Sequence, residues 1–95
     1  MKVRWTRAAS LHLEEIGDHI ARDSRASADR LVNLILDRTE ALGEHPHLGR
    51  AGRVDATREL VVAGTPYIVV YRVRVGVAEV LAVFHGARRW PDSFG

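Results

Sequence analysis

The chain has 95 residues, of which 46% are hydrophobic and 27% are charged, and it contains no cysteine. This balance is typical of one folded domain, residues 1–95, and argues against disorder, a disulfide framework and a thiolate metal site. No stretch approaches the ~18 consecutive apolar residues of a membrane span. The segment Met1–Trp5 has no apolar run typical of a signal peptide, so we expect a cytoplasmic protein that makes no contact with a membrane.

Arginine dominates the positive charge of the chain. The net charge is +2, yet thirteen of the fourteen basic residues are arginine. GC-rich codon usage also produces this composition, so the distribution of charge is more informative than the amount. Residues 1–49 carry seven basic and eight acidic side chains, and residues 50–95 carry seven and four. An anionic partner is therefore predicted to meet the second half of the chain.

The first half of the chain predicts a short strand and a helix hairpin. A strand is predicted at Val3–Trp5, because polar and apolar residues alternate there. From Ala8 the apolar period becomes helical, at Ala9, Leu13, Ile16 and Ile20. Gly17 inside this pattern indicates close packing against a neighbouring element. A second helix is predicted after an N-cap at Asp23 or Ser24 and before a C-cap at Gly43. Since the break between the two patterns is short, the helices are predicted to lie antiparallel.

The second half of the chain predicts a loop and three antiparallel strands. The loop covers His45–Asp55, which includes Pro46, Gly49 and Gly52. Three runs rich in Val, Ile and Tyr follow, at residues 58–62, 66–73 and 80–84, with turns at residues 63–66 and 74–77. The helix hairpin covers one face of this sheet. The other face is predicted to carry some of Val69, Tyr71, Val80 and Ala82 and to stay open for a partner.

The end of the last strand carries the most conspicuous candidate site. His85, Gly86, Arg88, Arg89 and Trp90 lie within six residues, and a cationic, aromatic cluster of this kind is typical of a surface that binds an anionic or protein partner. Elsewhere the histidines predict no metal site, since His45 and His47 lack a third ligand. Glu59 is interpreted as a member of an ion pair at the surface or the sheet edge.

The order of elements and three segments resemble a known family. The segments are Arg58-Glu59-Leu60, Pro66-Tyr67-Ile68-Val69-Val70-Tyr71 and His85-Gly86-Ala87-Arg88-Arg89-Trp90. Together they resemble the RelE/ParE superfamily of toxins from bacterial type II toxin–antitoxin modules, and the likeness runs from Val3 to Trp90. The resemblance implies an α+β fold, β-α-α-β-β-β, with a helix hairpin packed on one face of an antiparallel sheet. It also implies a toxin that arrests growth until an antitoxin neutralises it.

The resemblance is closest to the ParE branch of the superfamily. RelE-like ribonucleases carry an arginine where this chain has Ile68 and lysines upstream, whereas the only lysine here is Lys2. ParE-like members bind DNA gyrase and need no acid–base groups, which implies no catalytic residue and no cofactor. The target-binding residues are then His85, Arg88, Arg89 and Trp90. Two alternatives remain open: a ribosome-dependent mRNA endonuclease, and a non-toxic remnant that only binds its antitoxin.

The resemblance also implies the partners of the chain. They are DNA gyrase and a ParD-like antitoxin, a ribbon-helix-helix protein whose C-terminal segment binds the toxin in a hetero-oligomer. DNA is then met only through the antitoxin. The residues predicted to contact the antitoxin are Leu13, Ile16, Ile20, Tyr71 and Arg72.

Overall fold

Two helices and five strands make up the chain in the computed structural model, which describes residues 1–94. In chain order they are β1 (Lys2–Trp5), α1 (Arg7–Ala21), α2 (Arg25–Glu40), β2 (Arg50–Ala51), β3 (Arg58–Val61), β4 (Tyr67–Arg74) and β5 (Val77–His85). A short 3₁₀ turn, Ala41–Gly43, continues from α2. Across residues 1–94, neither helix is long and apolar enough to cross a membrane.

Both helices begin at hydroxyl N-caps. The Oγ1 of Thr6 accepts a hydrogen bond from the Ala9 amide at 3.1 Å, and the Oγ of Ser24 accepts one from the Ser27 amide at 3.1 Å. Each cap satisfies one of the amides that have no partner within the first turn of a helix. Of the two cap residues proposed for α2, Ser24 is therefore the one that fills the role.

The helix hairpin is close-packed at Gly17. A Cβ atom at this position would lie 3.1 Å from the Cγ2 atom of Val32, so Val32 would have to shift by a few tenths of an ångström to accommodate it. The prediction that Gly17 marks a close approach is confirmed. The end of α2 differs from the prediction, since the α-helix stops at Glu40 and Gly43 closes the 3₁₀ turn instead.

The sheet has the order β1-β5-β4-β3-β2 and is mixed. Strands β3, β4 and β5 form the predicted antiparallel meander, whereas β1 lies parallel to β5 at the edge. Strands joined by a short hairpin must pair antiparallel, as β4 and β5 do. Because no hairpin joins β1 to β5, these two strands are free to pair in parallel. Strand β2 lies inside the segment predicted as a loop and pairs with the start of β3.

A bulge in β5 sets which residues face the helices. The β4–β5 ladder pairs Val70 with Ala82 and Tyr71 with Val80, so Leu81 is an extra residue in β5. An extra residue reverses the alternation of faces along a strand. Val80 and Ala82 are two positions apart, so they would share one face of a regular strand. Because of the bulge, Val80 faces the helices and Ala82 lies on the opposite face.

The sheet is covered on both faces. The helix-facing core consists of Ala9, Leu13, Ile35, Leu42, Leu60, Val62, Tyr67, Val69, Tyr71, Ala78, Val80 and Val83. On the opposite face Val70, Ala82 and Phe84 form a second cluster, against which Trp90 and Phe94 pack. The expectation of an open apolar face is wrong: Val69, Tyr71 and Val80 belong to the helix-facing core, and Ala82 is buried in the second cluster.

Candidate functional site

A tight turn after β5 directs the C-terminal segment back across the sheet. The Gly86 amide donates to the Pro66 carbonyl at 2.7 Å, and the Arg88 amide donates to the His85 carbonyl at 3.0 Å. The Ala87 amide donates to Nδ1 of the His85 ring at 3.1 Å. These bonds place residues 88–94 over the face that the helices leave uncovered.

The indole of Trp90 anchors this segment on Phe84. The two ring centres are 5.3 Å apart and the planes are tilted by 54°, an arrangement favoured by aromatic quadrupoles. The indole Nε1 donates a long hydrogen bond, 3.4 Å, to the His85 carbonyl. Phe94 stacks on the same ring with its centre 6.2 Å away. Trp90 is therefore half-buried and keeps part of its surface accessible.

Arginines surround this aromatic group. The guanidinium carbon of Arg53, from the segment between β2 and β3, lies 3.5 Å from the centre of the Trp90 ring. The guanidinium carbon of Arg88 lies 5.8 Å from the centre of Phe84. Both contacts are within the range of cation–π attraction. Arg88 and Arg89 are exposed and directly precede Trp90 in the chain. His85, the fourth residue predicted to bind the target, pairs with Tyr67 in the sheet and faces α1 instead.

Glu59 fixes the position of Arg53 from beneath. Its Oε2 accepts from the Arg53 amide at 2.6 Å and from the Arg53 Nε at 3.3 Å, and its Oε1 accepts from the Arg50 Nη2 at 3.0 Å. Burial acts to raise the pKa of Glu59, but these hydrogen bonds outweigh it and leave the pKa below the ordinary value of 4.5. The ion pair predicted for Glu59 is present, next to the edge strand β2. It does not lie at the surface, since Glu59 is only 3% exposed.

A shallow pocket of about 200 Å³ lies between α1 and the end of β5, on the helix-facing side of the sheet. His12, Tyr67, His85 and Arg88 are among the residues that line it. The Nδ1 of His12 accepts from the Val83 amide at 3.3 Å, so the neutral ring carries its proton on Nε2. Burial lowers the pKa of His12. The carboxylate of Glu15 opposes this effect, and the charge of Arg88 adds to it.

The residues predicted to contact the antitoxin do not form one surface. Leu13 is nearly buried and lines a groove of about 820 Å³ between α1 and α2, whereas Ile16 lines the pocket between α1 and β5. Ile20 is half-buried near the end of α1. Arg72 forms an ion pair with Glu79, with Nε and Oε1 2.7 Å apart, and follows Tyr71 in β4, so it lies on the opposite face of the sheet.

Tyr71 has no exposed surface through which to touch a partner directly. Its hydroxyl donates to the Pro46 carbonyl at 2.7 Å and accepts from the Gly49 amide at 2.9 Å, which ties the loop after α2 to the sheet. Burial raises the pKa of Tyr71, against a smaller opposing effect of the Gly49 hydrogen bond. In this conformation Tyr71 therefore supports the loop from inside, while the antitoxin contacts themselves stay predictions.

Comparison with known proteins identifies the family. The family described as "ParE toxin of type II toxin-antitoxin system, parDE" matches residues 3–90. The chain belongs to this ParE toxin family.

Individual relatives agree with this membership. The chain is 44% identical over 91 residues to "Putative toxin Y4kP" of Sinorhizobium fredii, covering 96% of this chain and 94% of that protein. It is 33% identical over 87 residues to "Toxin RelE2" of Caulobacter vibrioides, covering 92% and 97%. A solved structure titled "Chromosomal ParDE TA system from P. aeruginosa" superposes with a TM-score of 0.81 at 25% identity and covers 90% of this chain and 95% of that one. The ParE-like fold and the RelE/ParE superfamily predicted from the sequence are both confirmed.

The residues that support Trp90, at the centre of the surface predicted to bind the target, are not marked by any motif in the sequence of this ParE-family toxin. Two of them, Phe84 and Arg53, contact the Trp90 ring directly. The third, Glu59, acts through its hydrogen bonds to Arg53. The one signal for Glu59 is its place inside an apolar strand in a half of the chain that has only four acidic residues. No local pattern links Arg53 with Trp90, because the contact arises from tertiary folding.

Proposed function

We propose that this ParE-family toxin inhibits growth by binding DNA gyrase, without breaking a bond. The observation that carries the proposal is the surface at the end of β5, where exposed Arg88 and Arg89 directly precede an indole anchored on Phe84. Arginine and tryptophan are the residue types most enriched among those that dominate binding energy at interfaces. Arginine also suits the carboxylates and phosphates of an anionic target.

The charge pattern supports binding over RNA cleavage. Attack by a 2′-hydroxyl requires a proton acceptor, a proton donor and cations that stabilise the phosphate. The position expected to supply an arginine in RelE-like nucleases holds Ile68, which is only 6% exposed. The upstream lysines are also absent, since Lys2 is the only lysine of the chain.

The partner that neutralises the toxin is a cognate ParD-like antitoxin, and the complex acts in the cytoplasm. The groove between α1 and α2 offers it apolar surface from Trp5, Leu13, Val32 and Leu36. Burial of such surface contributes about 25 cal/mol per Å². Three carboxylates and one arginine also line this groove, namely Glu14, Asp18, Asp29 and Arg25. An antitoxin helix with an apolar stripe and basic flanks therefore fits it best.

A second candidate function, mRNA cleavage, is favoured by the pocket between α1 and β5. There the imidazoles of His12 and His85 line the same pocket as Arg88. Imidazole can accept or donate a proton near neutral pH, and arginine can stabilise a phosphate. The relative from Caulobacter vibrioides also bears the name of a RelE toxin.

The deciding experiment compares two activities of the purified protein: inhibition of supercoiling by gyrase, and cleavage of mRNA on translating ribosomes. Arg88→Ala and Trp90→Ala are each expected to raise the concentration needed to inhibit gyrase by about thirtyfold, since truncating an Arg or Trp at the centre of an interface commonly costs ~2 kcal/mol. Arg74→Ala, an exposed arginine at the distant end of β4, is the matched control and leaves inhibition unchanged.

His85→Ala separates the two candidates. In binding, His85 supplies a contact but transfers no proton, so this variant is expected to lose much less inhibition of gyrase than Arg88→Ala or Trp90→Ala. If transcripts are cleaved by the native protein and left intact by His85→Ala while supercoiling proceeds normally, the toxin is a nuclease. If induced expression changes neither growth, supercoiling nor transcripts while the antitoxin still binds, the chain is a non-toxic remnant.

A further inference from the structure

We infer that Glu59 is a positioning residue that holds Trp90 in place through Arg53. Its consequence for toxicity rests on the proposed function, because Trp90 is the centre of the surface proposed to bind gyrase. The positioning itself concerns the isolated protein and can be measured without any target. Three sets of contacts carry the inference: those of the carboxylate, those of Arg53 and those of Trp90.

The carboxylate of Glu59 holds Arg53 at two points. It accepts from the backbone amide of Arg53 at 2.6 Å and from the Nε of the same residue at 3.3 Å. The Glu59 side chain is 2% exposed, whereas that of Arg53 is 43% exposed. A buried anion therefore fixes the main chain and the side chain of a residue that would otherwise be mobile at the surface.

The guanidinium held in this way lies on the indole. Its carbon is 3.5 Å from the centre of the Trp90 ring, the closest cation–π contact among residues 1–94. The indole is otherwise held by its contact with Phe84 and by one long hydrogen bond of 3.4 Å. Removing the guanidinium contact is therefore expected to shift the equilibrium between the docked and released C-terminal segment by about two- to fivefold.

Arg50 supplies a control within the same group of charges. It donates to Oε1 of Glu59 at 3.0 Å from Nη2 and at 3.3 Å from Nε. Unlike Arg53, Arg50 makes no cation–π contact with Trp90 within residues 1–94. Replacing Arg50 therefore removes a charge and an ion pair of the same kind while the Arg53 contact with the indole persists.

The experiment measures acrylamide quenching of Trp90 fluorescence in a Trp5→Phe background, which leaves Trp90 as the single tryptophan. Glu59→Gln and Arg53→Gln are each expected to raise the quenching constant, because the ratio of released to docked segment rises by about two- to fivefold. Arg50→Gln is expected to leave it unchanged. In the double variant the Glu59 substitution adds nothing to the effect of Arg53→Gln, because its influence passes through Arg53. Circular dichroism verifies that every variant is folded.

Two results overturn the inference: a quenching constant that Glu59→Gln leaves unchanged, or one that it raises equally with and without Arg53. If Glu59→Gln unfolds the domain, the comparison of Arg53→Gln with Arg50→Gln decides, since equal quenching in those two variants also refutes it. Gyrase inhibition is assayed in parallel and is expected to weaken in the same variants, in proportion to the loss of the docked fraction. If the native protein leaves gyrase unaffected while the quenching results hold, the proposed function is wrong and the positioning role stands.

Discussion

Removal of one buried hydroxyl tests the account of the loop after α2. The hydroxyl of Tyr71 makes two hydrogen bonds, to the Pro46 carbonyl and from the Gly49 amide. Tyr71→Phe leaves that amide buried without its partner, and such a loss costs about 1–3 kcal/mol. We expect a fall of about 2 kcal/mol in the free energy of unfolding. For a domain of this size the melting temperature would fall by roughly 8–16 °C.

Urea denaturation followed by circular dichroism measures this effect, and amide hydrogen exchange localises it at Gly49. Tyr67→Phe is the matched control: it removes a hydroxyl from the same strand, and the Tyr67 hydroxyl makes no side-chain hydrogen bond among residues 1–94. We expect the control to change the unfolding free energy by less than about 0.5 kcal/mol. A loss for Tyr71→Phe as small as that of the control would refute the reasoning.

Two further predictions concern His12 and the interhelical groove. The pKa of His12 lies below 6.5 in the folded state, so around that pH the unfolded chain binds more protons at His12 than the folded chain does. The stability contributed by neutral His12 is therefore present above pH 6.5 and is lost as the pH falls below it. Urea denaturation from pH 5 to 7.5 is expected to show this slope, and His12→Asn to flatten it; equal slopes would count against the bond to Val83. Leu36 is 40% exposed in the groove, so Leu36→Ser is expected to weaken antitoxin binding about tenfold or more by calorimetry. An unchanged affinity would place the antitoxin elsewhere, and the exposed Val75→Ser in the β4–β5 turn is the control.

Local patterns predicted most of the fold. Helical periodicity defined both helices, and the turns around Gly64 and Gly76, both of which have positive φ, defined the meander. The parallel pairing of β1 with β5 could not be predicted in this way, because it joins the two ends of the chain. No spacing rule assigns the neighbour or the direction of an edge strand that has no hairpin.

The candidate site was predicted only in part, because a sequence shows which residues are neighbours in the chain but not which residues meet after folding. His85, Arg88, Arg89 and Trp90 are adjacent in sequence, so their grouping was visible before folding. The supporting residues were not visible, because Arg53 and Trp90 are far apart in the sequence and meet only in the folded chain. The open face expected from the meander was wrong because aromatic residues beyond the last strand fold back over it.

The extra residue in β5 has a consequence for how chain length varies among relatives. Val70 and Tyr71 already pair with Ala82 and Val80, so loss of Leu81 would leave a regular ladder with every other side chain on its present face. Loss of one residue at the Ile68–Phe84 pair would instead reverse the faces on one side of the break and turn part of the core outwards. A one-residue gap in β5 of a homologous toxin is therefore expected at the position of Leu81.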